Sequence, residues 1–386
     1  MSTMSPPARY AVAASTVFDG DGYRQDCAVV IEGTQILGLV PRRELAASVP
    51  LRLLPDGTWL APGFIDCQVN GGGDVLFNDE PTVEAIAAIV RAHRQFGTTS
   101  LLPTLITDTQ ENMRAALDAA DKAVAAIPGV AGVHLEGPFI SPEKPGVHNT
   151  AFIRTPAPQD LERLTTPRKG VILITLAPER VPPGFIAKLA AADLRVSLGH
   201  SMADYEETKA ALAEGLTGFT HLFNAMRQLS SRDPGPVAAA LETPGVWFGM
   251  IADGYHAHPA MLRLALRGKA NPMLVTDAMP PVGGRKSLFR LYSEEIAVRG
   301  GRCAKEDGTL AGAALHMAAA VRNCVELLHV PLPQALQFAS REPARFLGLE
   351  THLGRLAPGY RADMSAFDPD TIKVHDTWVA GKASAA

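Results

Sequence analysis

Between Gly63 and Met279 the chain alternates short apolar runs with amphipathic stretches, and it does so eight times. The apolar runs lie at 63–70, 98–104, 130–137, 170–179, 194–200, 218–224, 247–254 and 272–279, each bounded by turn residues. Short runs dominated by apolar residues and bounded by turns read as strands. The intervening stretches, such as TVEAIAAIVRAHRQF at 82–96 and those at 111–127 and 203–215, repeat apolar residues at helical spacing. Eight strands alternating with helices predict a closed α/β barrel of the (β/α)8 type. An open doubly wound sheet competes. It more often carries a glycine-rich phosphate loop after its first strand, and none follows 63–70.

The two ends read differently. Residues 9–61 and 354–386 hold short strand-like runs, CAVVIEG and QILGLVP among them, and no convincing barrel-type helix. They predict one small β-sandwich domain built from both termini, 1–61 with 354–386, and a barrel domain over 62–353. Residues 287–308 read as strands inserted after the eighth barrel strand, ending at the Asp307-Gly308 turn.

Charge narrows the partners. With 36 basic against 40 acidic residues, the chain has no cationic excess to neutralise a nucleic-acid backbone. No apolar run is long enough for a membrane span. The opening MSTMSPPARYAVAAS lacks the basic start and apolar stretch of a signal peptide. Cys27, Cys67, Cys303 and Cys324 match neither a zinc knuckle nor a CxxC pair. These features together predict a cytoplasmic protein with reduced thiols.

In a closed barrel the chemistry gathers at the C-terminal ends of the strands. Those ends carry Asp66-Cys67-Gln68, His134-Leu135-Glu136, Gly199-His200, His221 with Asn224, Asp253 with His256, and Thr276-Asp277. Alone, each reads as a core polar group satisfied by a neighbour. Converging on one mouth, they read as a site. Glu136, His200 and His221 offer one carboxylate oxygen and two imidazole nitrogens, a set that zinc accepts with one position left open. His134 shares a strand face with Glu136, so it and Gln68 are expected one layer behind the metal. Asp277 is the candidate acid/base: beside an activated water, a carboxylate can take its proton and pass it to a leaving amine. His148, Arg232 and His256 lie in the loops EKPGVHN, SSRDPG and DGYH. A donor that can be cationic, together with an arginine, suits a phosphate monoester.

In this order, APGFIDCQVNG, HLEGPFISPEKPGVHN, SLGHS, THLFNAM, SRDPG, IADGYH and LVTDAM resemble the N-acetylglucosamine-6-phosphate deacetylases of the amidohydrolase superfamily. The resemblance covers about 62–279, and GRLAPGYRAD resembles the return of the superfamily's terminal β-domain. HLEGPF and THLFNAM carry most of its specificity. It implies metal-dependent hydrolysis of N-acetylglucosamine 6-phosphate to glucosamine 6-phosphate and acetate. Carried onto this chain, it implies Glu136, His200 and His221 as metal ligands, Asp277 as the acid/base, and His148 as the group polarising the acetamide carbonyl. Val147, Asn224 and Ala225 match substrate contacts, and Arg232 and His256 match groups near the phosphate. Leu310-Ala311-Gly312 matches the loop that closes over the sugar. A homodimer is implied too, with one phosphate-binding group supplied by the neighbouring subunit.

Many members of the superfamily carry two histidines separated by one residue at the end of the first strand. Here that pair becomes Asp66-Cys67-Gln68. A carboxamide is a poor transition-metal ligand beside imidazole, so one divalent ion per chain is expected. Zinc suits the ligands, and iron(II) or another divalent ion is compatible with them. The insertion PPVGGRK at 280–286 does not match the family closely, which leaves the sugar epimer and the phosphate requirement open. Two alternatives stand beside this reading. One is an amidohydrolase acting on another N-acyl amino sugar or an N-acyl amino acid. The other is a non-catalytic scaffold, which has no need of ligands, acid/base and phosphate group together.

Overall fold

The computed structural model describes residues 9–384. The expectations for residues 1–8, the absent signal peptide among them, and for 385–386 of the terminal domain lie outside the described residues. The chain divides into two compact units, one of 66–92 and 101–316, the other of 1–65, 93–100 and 317–386.

The apolar runs form one parallel sheet of eight strands. These are β1 (Phe64–Val69), β2 (Thr98–Ile106), β3 (Gly132–Glu136), β4 (Val171–Leu176), β5 (Arg195–Leu198), β6 (Gly218–Phe219), β7 (Trp247–Met250) and β8 (Asn271–Leu274). Each lies beside its neighbour in sequence, from β1 through to β8. Every residue of β1, β2 and β3 is buried, as a strand covered on both faces requires. A helix stands between each strand and the next. The one after β2, Gln110–Ala126, shows why: it buries Met113, Ala116, Leu117, Ala120 and Ala123 at helical spacing. Its first turn is capped by Thr109, whose side chain accepts from Asn112 N at 3.1 Å.

The barrel closes just beyond the ends of β1 and β8. Asp277 N donates to Gln68 O at 3.0 Å, and Asn70 N donates to Ala278 O at 2.9 Å. Several expected strands are shorter than their apolar runs. The run at 218–224 is a strand only over Gly218–Phe219, and that at 194–200 only over Arg195–Leu198. The cause is local backbone conformation. His200, His221, Phe223, Ala225 and Asp277 have φ of 50°, 33°, 80°, 46° and 51°. No strand accommodates this left-handed region, and a non-glycine residue there costs about 1–2 kcal/mol. The strained residues cluster where the strands turn into the barrel mouth, the usual place for strain tied to function.

After β8 comes the expected insertion, an antiparallel sheet of β9 (Leu288–Leu291), β10 (Glu294–Arg299), β11 (Arg302–Ala304) and β12 (Leu310–Ala313). Its apolar side, with Phe289, Leu291, Ile296, Cys303 and Ala311, packs against Leu76, Ile106 and Met279. The Asp307-Gly308 turn is tied by Asp307, whose Oδ1 accepts from Thr309 N at 2.8 Å.

In the other unit both termini meet in one sheet. Met364–Phe367 pairs antiparallel with Trp59–Pro62, which runs parallel to Arg9–Phe18. Val12, Val17, Ile31, Leu60, Met364 and Trp378 form its core. The helices Met317–Leu328, Leu332–Ala339 and Arg341–Leu347 belong to this unit as well.

Gly312 in β12 has a φ of 60°, and a Cβ there would lie 2.6 Å from Met279 Cγ and 2.7 Å from Asp277 O. Gly312→Ala is therefore expected to lower stability by about 2–4 kcal/mol, from overpacking and backbone strain together. A urea-unfolding midpoint equal to that of the wild type would show that this approach is not tight.

Candidate functional site

A cavity of about 350 Å³ opens at the C-terminal ends of the barrel strands. Asn70, Glu136, Val147, His148, His200, His221, Asn224, Ala225, His256, Asp277, Leu310 and Gly312 all line it. Most of the sequence-predicted site residues thus line the cavity, Gln68 meets it through Glu136 and Asp277, and three others are not brought to it. Ala311 is fully buried in the apolar core of the inserted sheet, because strand alternation sends it opposite to Leu310 and Gly312. Arg232 is exposed in its loop and does not line the cavity. His134 is turned into the barrel interior, with Nδ1 3.2 Å from Thr104 Oγ1 and Nε2 2.8 Å from Thr175 Oγ1. Burial lowers its pKa to about 4, so it is a neutral core histidine bonded to threonines rather than to a ligand residue.

Three atoms crowd one point of the cavity. Glu136 Oε1 lies 2.9 Å from His221 Nε2 and 3.1 Å from His200 Nε2, and the two nitrogens are 3.2 Å apart. His200 Nδ1 is 2.8 Å from Lys144 O. A carbonyl oxygen only accepts, so Nδ1 carries a proton, and Nε2 is the nitrogen that can offer a lone pair to a metal. This backing of one ring nitrogen by a carbonyl is the usual support of a metal-ligating histidine. Buried lone pairs and a carboxylate aimed at one point repel unless a cation sits among them, so the three residues fit a divalent metal ion. Burial opposes the ionisation of Glu136, yet the adjoining His200 and His221 outweigh it and hold the carboxyl well below its usual range. Glu136, His148 and His200 also offer ligand atoms within 4.8 Å of one another. That grouping is looser than the one with His221.

Asp277 faces this cluster. Its Oδ1 accepts from Asn70 Nδ2 at 2.6 Å and from Gln68 Nε2 at 3.1 Å. Gln68 Nε2 also lies 3.2 Å from Glu136 Oε2, so one carboxamide ties both carboxylates. Burial first, and then the Glu136 charge, push the Asp277 pKa up to about 6, against the pull of His256, His221 and Asn70. Here the structure corrects the sequence reading of β1. The pair facing the site is Gln68 and Asn70, not Asp66 and Gln68. Asp66 is fully buried and accepts from Thr276 Oγ1 at 2.5 Å, with Gln68 N at 3.2 Å and Thr276 N at 3.3 Å, so it pins both backbone segments instead. Asn70 closes the expected run at 63–70, yet the sequence reading of that strand's polar end stops at Asp66-Cys67-Gln68 and so misses it. The period-two alternation of Gln68-Val69-Asn70 was the signal that could have found it.

Asp253 was also missed as a partner. Its Oδ2 lies 2.7 Å from His256 Nδ1, and its Oδ1 accepts from Tyr255 N and His256 N at 2.8 and 2.9 Å. His256 Nε2 then stands 3.9 Å from Asp277 Oδ2. His148 is 5% exposed. Burial, then the nearby His200, lowers its pKa well below the ordinary histidine value, so the ring is neutral.

Comparison with known proteins agrees with this geometry. Residues 59–384 match the amidohydrolase family. An N-acetylgalactosamine-6-phosphate deacetylase of Shewanella sp. strain ANA-3 is 42% identical over 363 residues, 93% of this chain and 91% of that protein. An N-acetylglucosamine-6-phosphate deacetylase of Haemophilus influenzae is 34% identical over 379 residues, 97% of this chain and 99% of that one. The crystal structure of N-acetylglucosamine-6-phosphate deacetylase from Pasteurella multocida superposes with a TM-score of 0.94 at 32% identity, covering 98% of this chain and all of that one. With its ligand cluster and facing aspartate at the mouth of a (β/α)8 barrel, the chain belongs to the amidohydrolase family.

Proposed function

We propose that the protein hydrolyses the acetamide of N-acetylglucosamine 6-phosphate, releasing acetate and glucosamine 6-phosphate. The observation that supports it most is Asp277 facing the Glu136–His200–His221 cluster, with Gln68 bonded to both carboxylates. Glu136, His200 and His221 would hold one divalent ion, zinc by its ligand types, which when bound polarises the substrate carbonyl and brings the pKa of water to about 7. Asp277 Oδ1 is occupied by Asn70 and Gln68. Oδ2 is therefore the oxygen that takes the proton of the attacking water and returns it to the amine nitrogen. His148 donates to the carbonyl oxygen as charge develops on it. Asn224, with Val147 and Ala225, positions the sugar, and Leu310 and Gly312 cover it. His256 meets the phosphate together with Arg232. Arg232 is exposed away from the cavity of its own chain, which favours a homodimer in which it serves the neighbouring site. We take 62–353 as the hydrolase domain and 1–61 with 354–386 as the terminal β-domain, while the helices between 317 and 347 cluster with the terminal unit. No described helix is long and apolar enough to cross a membrane, and we place the protein with its phosphorylated substrate in the cytoplasm.

One observation favours a second reading, the C4 epimer: the Shewanella relative, an N-acetylgalactosamine-6-phosphate deacetylase, is 42% identical, against 39% for the N-acetylglucosamine-6-phosphate deacetylase of Rattus norvegicus. Acetate release from both 6-phosphates, with metal content read on the same sample, separates the two. Turnover on either, with about one metal per chain and loss of activity on chelation, is the expected result. No release from a metal-loaded protein would move the substrate to another N-acyl amino sugar or N-acyl amino acid.

Asp277→Asn should keep the metal and lose about 10²–10⁴-fold in kcat. Asn70→Ala gives a finer test. Asn70 donates to the charged form of Asp277, so its removal raises the Asp277 pKa. The base must be ionised to act, and the acid limb of kcat/KM should move to higher pH. A limb that stays in place would separate Asn70 from the proton transfer.

Arg232→Ala should raise KM for the phosphorylated sugar and leave N-acetylglucosamine turnover as it was. Equal losses on both substrates would remove Arg232 from phosphate binding.

A further inference from the structure

His148 Nδ1 meets two groups of one residue. Thr107 Oγ1 lies 2.7 Å from it, and Thr107 N lies 3.3 Å from it. The longer contact settles the direction of the shorter. A backbone N–H can only donate, and Thr107 is 1% exposed, so its N–H requires a partner inside the protein. His148 Nδ1 is the acceptor in reach, and an imidazole nitrogen accepts only when it carries no proton. The Thr107 hydroxyl has one hydrogen and two acceptors in reach, Glu136 O at 3.3 Å and Nδ1 at 2.7 Å; with Nδ1 bare, the shorter contact is the one that needs the hydrogen, so the hydroxyl donates to Nδ1 as well. In the neutral ring, the one remaining proton sits on Nε2.

We infer that Thr107 is a positioning residue that holds His148 in its Nε2–H tautomer, so that His148 is a donor to the cavity and not a metal ligand. A nitrogen bearing hydrogen has no lone pair for a cation. His148 therefore does not complete the looser grouping with Glu136 and His200. His200 is arranged the other way: its Nδ1–H goes to Lys144 O, which leaves Nε2 as the nitrogen that can take a cation. The group behind each ring, a carbonyl for His200 and an amide with a hydroxyl for His148, sets what the Nε2 on the cavity side can do: in one it is open to a cation, in the other it is a donor. Resting on the deacetylase reading, the Nε2–H of His148 is the donor aimed at the developing oxyanion.

The tautomer can be read without substrate or metal. Two-bond proton–nitrogen correlation NMR on protein labelled with 15N-histidine would identify His148 by the loss of its signals in His148→Gln. In the expected pattern the nitrogen coupled to both ring carbon-bound protons, Nε2, is protonated, and Nδ1 is bare. The reverse pattern overturns the inference. Thr107→Val keeps the volume and the amide donor but removes the hydroxyl. It should lower kcat about 10- to 100-fold with KM little changed, and Thr107→Ser should restore it. Wild-type kcat in Thr107→Val would overturn the positioning role. Should the valine variant fail to fold, the wild-type NMR pattern and the serine variant still decide. A protein with the expected tautomer that releases no acetate would sink the deacetylase reading alone, so the two failures are distinct.

Discussion

Two backbone hydrogen bonds, from Asp277 N to Gln68 O and from Asn70 N to Ala278 O, join the first barrel strand to the segment after the eighth. The site depends on this closure. Gln68 and Asp277 are 209 residues apart in sequence, yet their side chains meet at 3.1 Å because the seam runs through their own backbones. The same seam carries Asn70 to the same oxygen, Asp277 Oδ1, and Asp66 reinforces it through Thr276 and Gln68 N. An open sheet would leave β1 and β8 on opposite edges, with Asp277 far from Glu136.

Closure concentrates charge in a dry place. Glu136 and Asp277 are both buried, and the charge of one works against the ionisation of the other. The two carboxyls are driven apart: Glu136, between two imidazoles, falls well below the usual range, while Asp277 rises to about 6. A pair of carboxyl groups separated by environment in this way marks one as a permanent anion and the other as a group able to exchange a proton near neutrality. The left-handed backbone at His200, His221 and Asp277 serves the same end, since it turns side chains inward where a continued strand would alternate them away.

Much of this was legible in the chain. Eight apolar runs with helices between them were enough for the barrel, and the polar residues at their ends were enough for Glu136, His200, His221 and Asp277. Periodicity overshot the strand ends, because it sees apolar side chains and not the positive φ that stops a ladder at Phe219 or Leu198. Thr107, and the pairings of Asp253 and Asn70, escaped notice for another reason. Each is an ordinary polar residue, and its importance lies in one through-space partner: His148, His256 or Asp277. His134 and Ala311 erred the opposite way. Both sit beside residues of the cavity in sequence, and strand geometry gives each a different neighbourhood.

By itself the sequence determined the barrel, the terminal β-sheet, the inserted strands and the types of ligand available, since these follow from periodicity, turn residues and position along strands. Only the tertiary structure decided which atoms face one another. It paired Gln68 and Asn70 with Asp277, put Asp66 beneath them, set the tautomers of His148 and His200 through Thr107 and Lys144, and left Arg232 outside its own cavity. Hydrogen bonds of about 3 Å between residues dozens to hundreds of positions apart depend on the closure of the whole barrel, which no local pattern encodes.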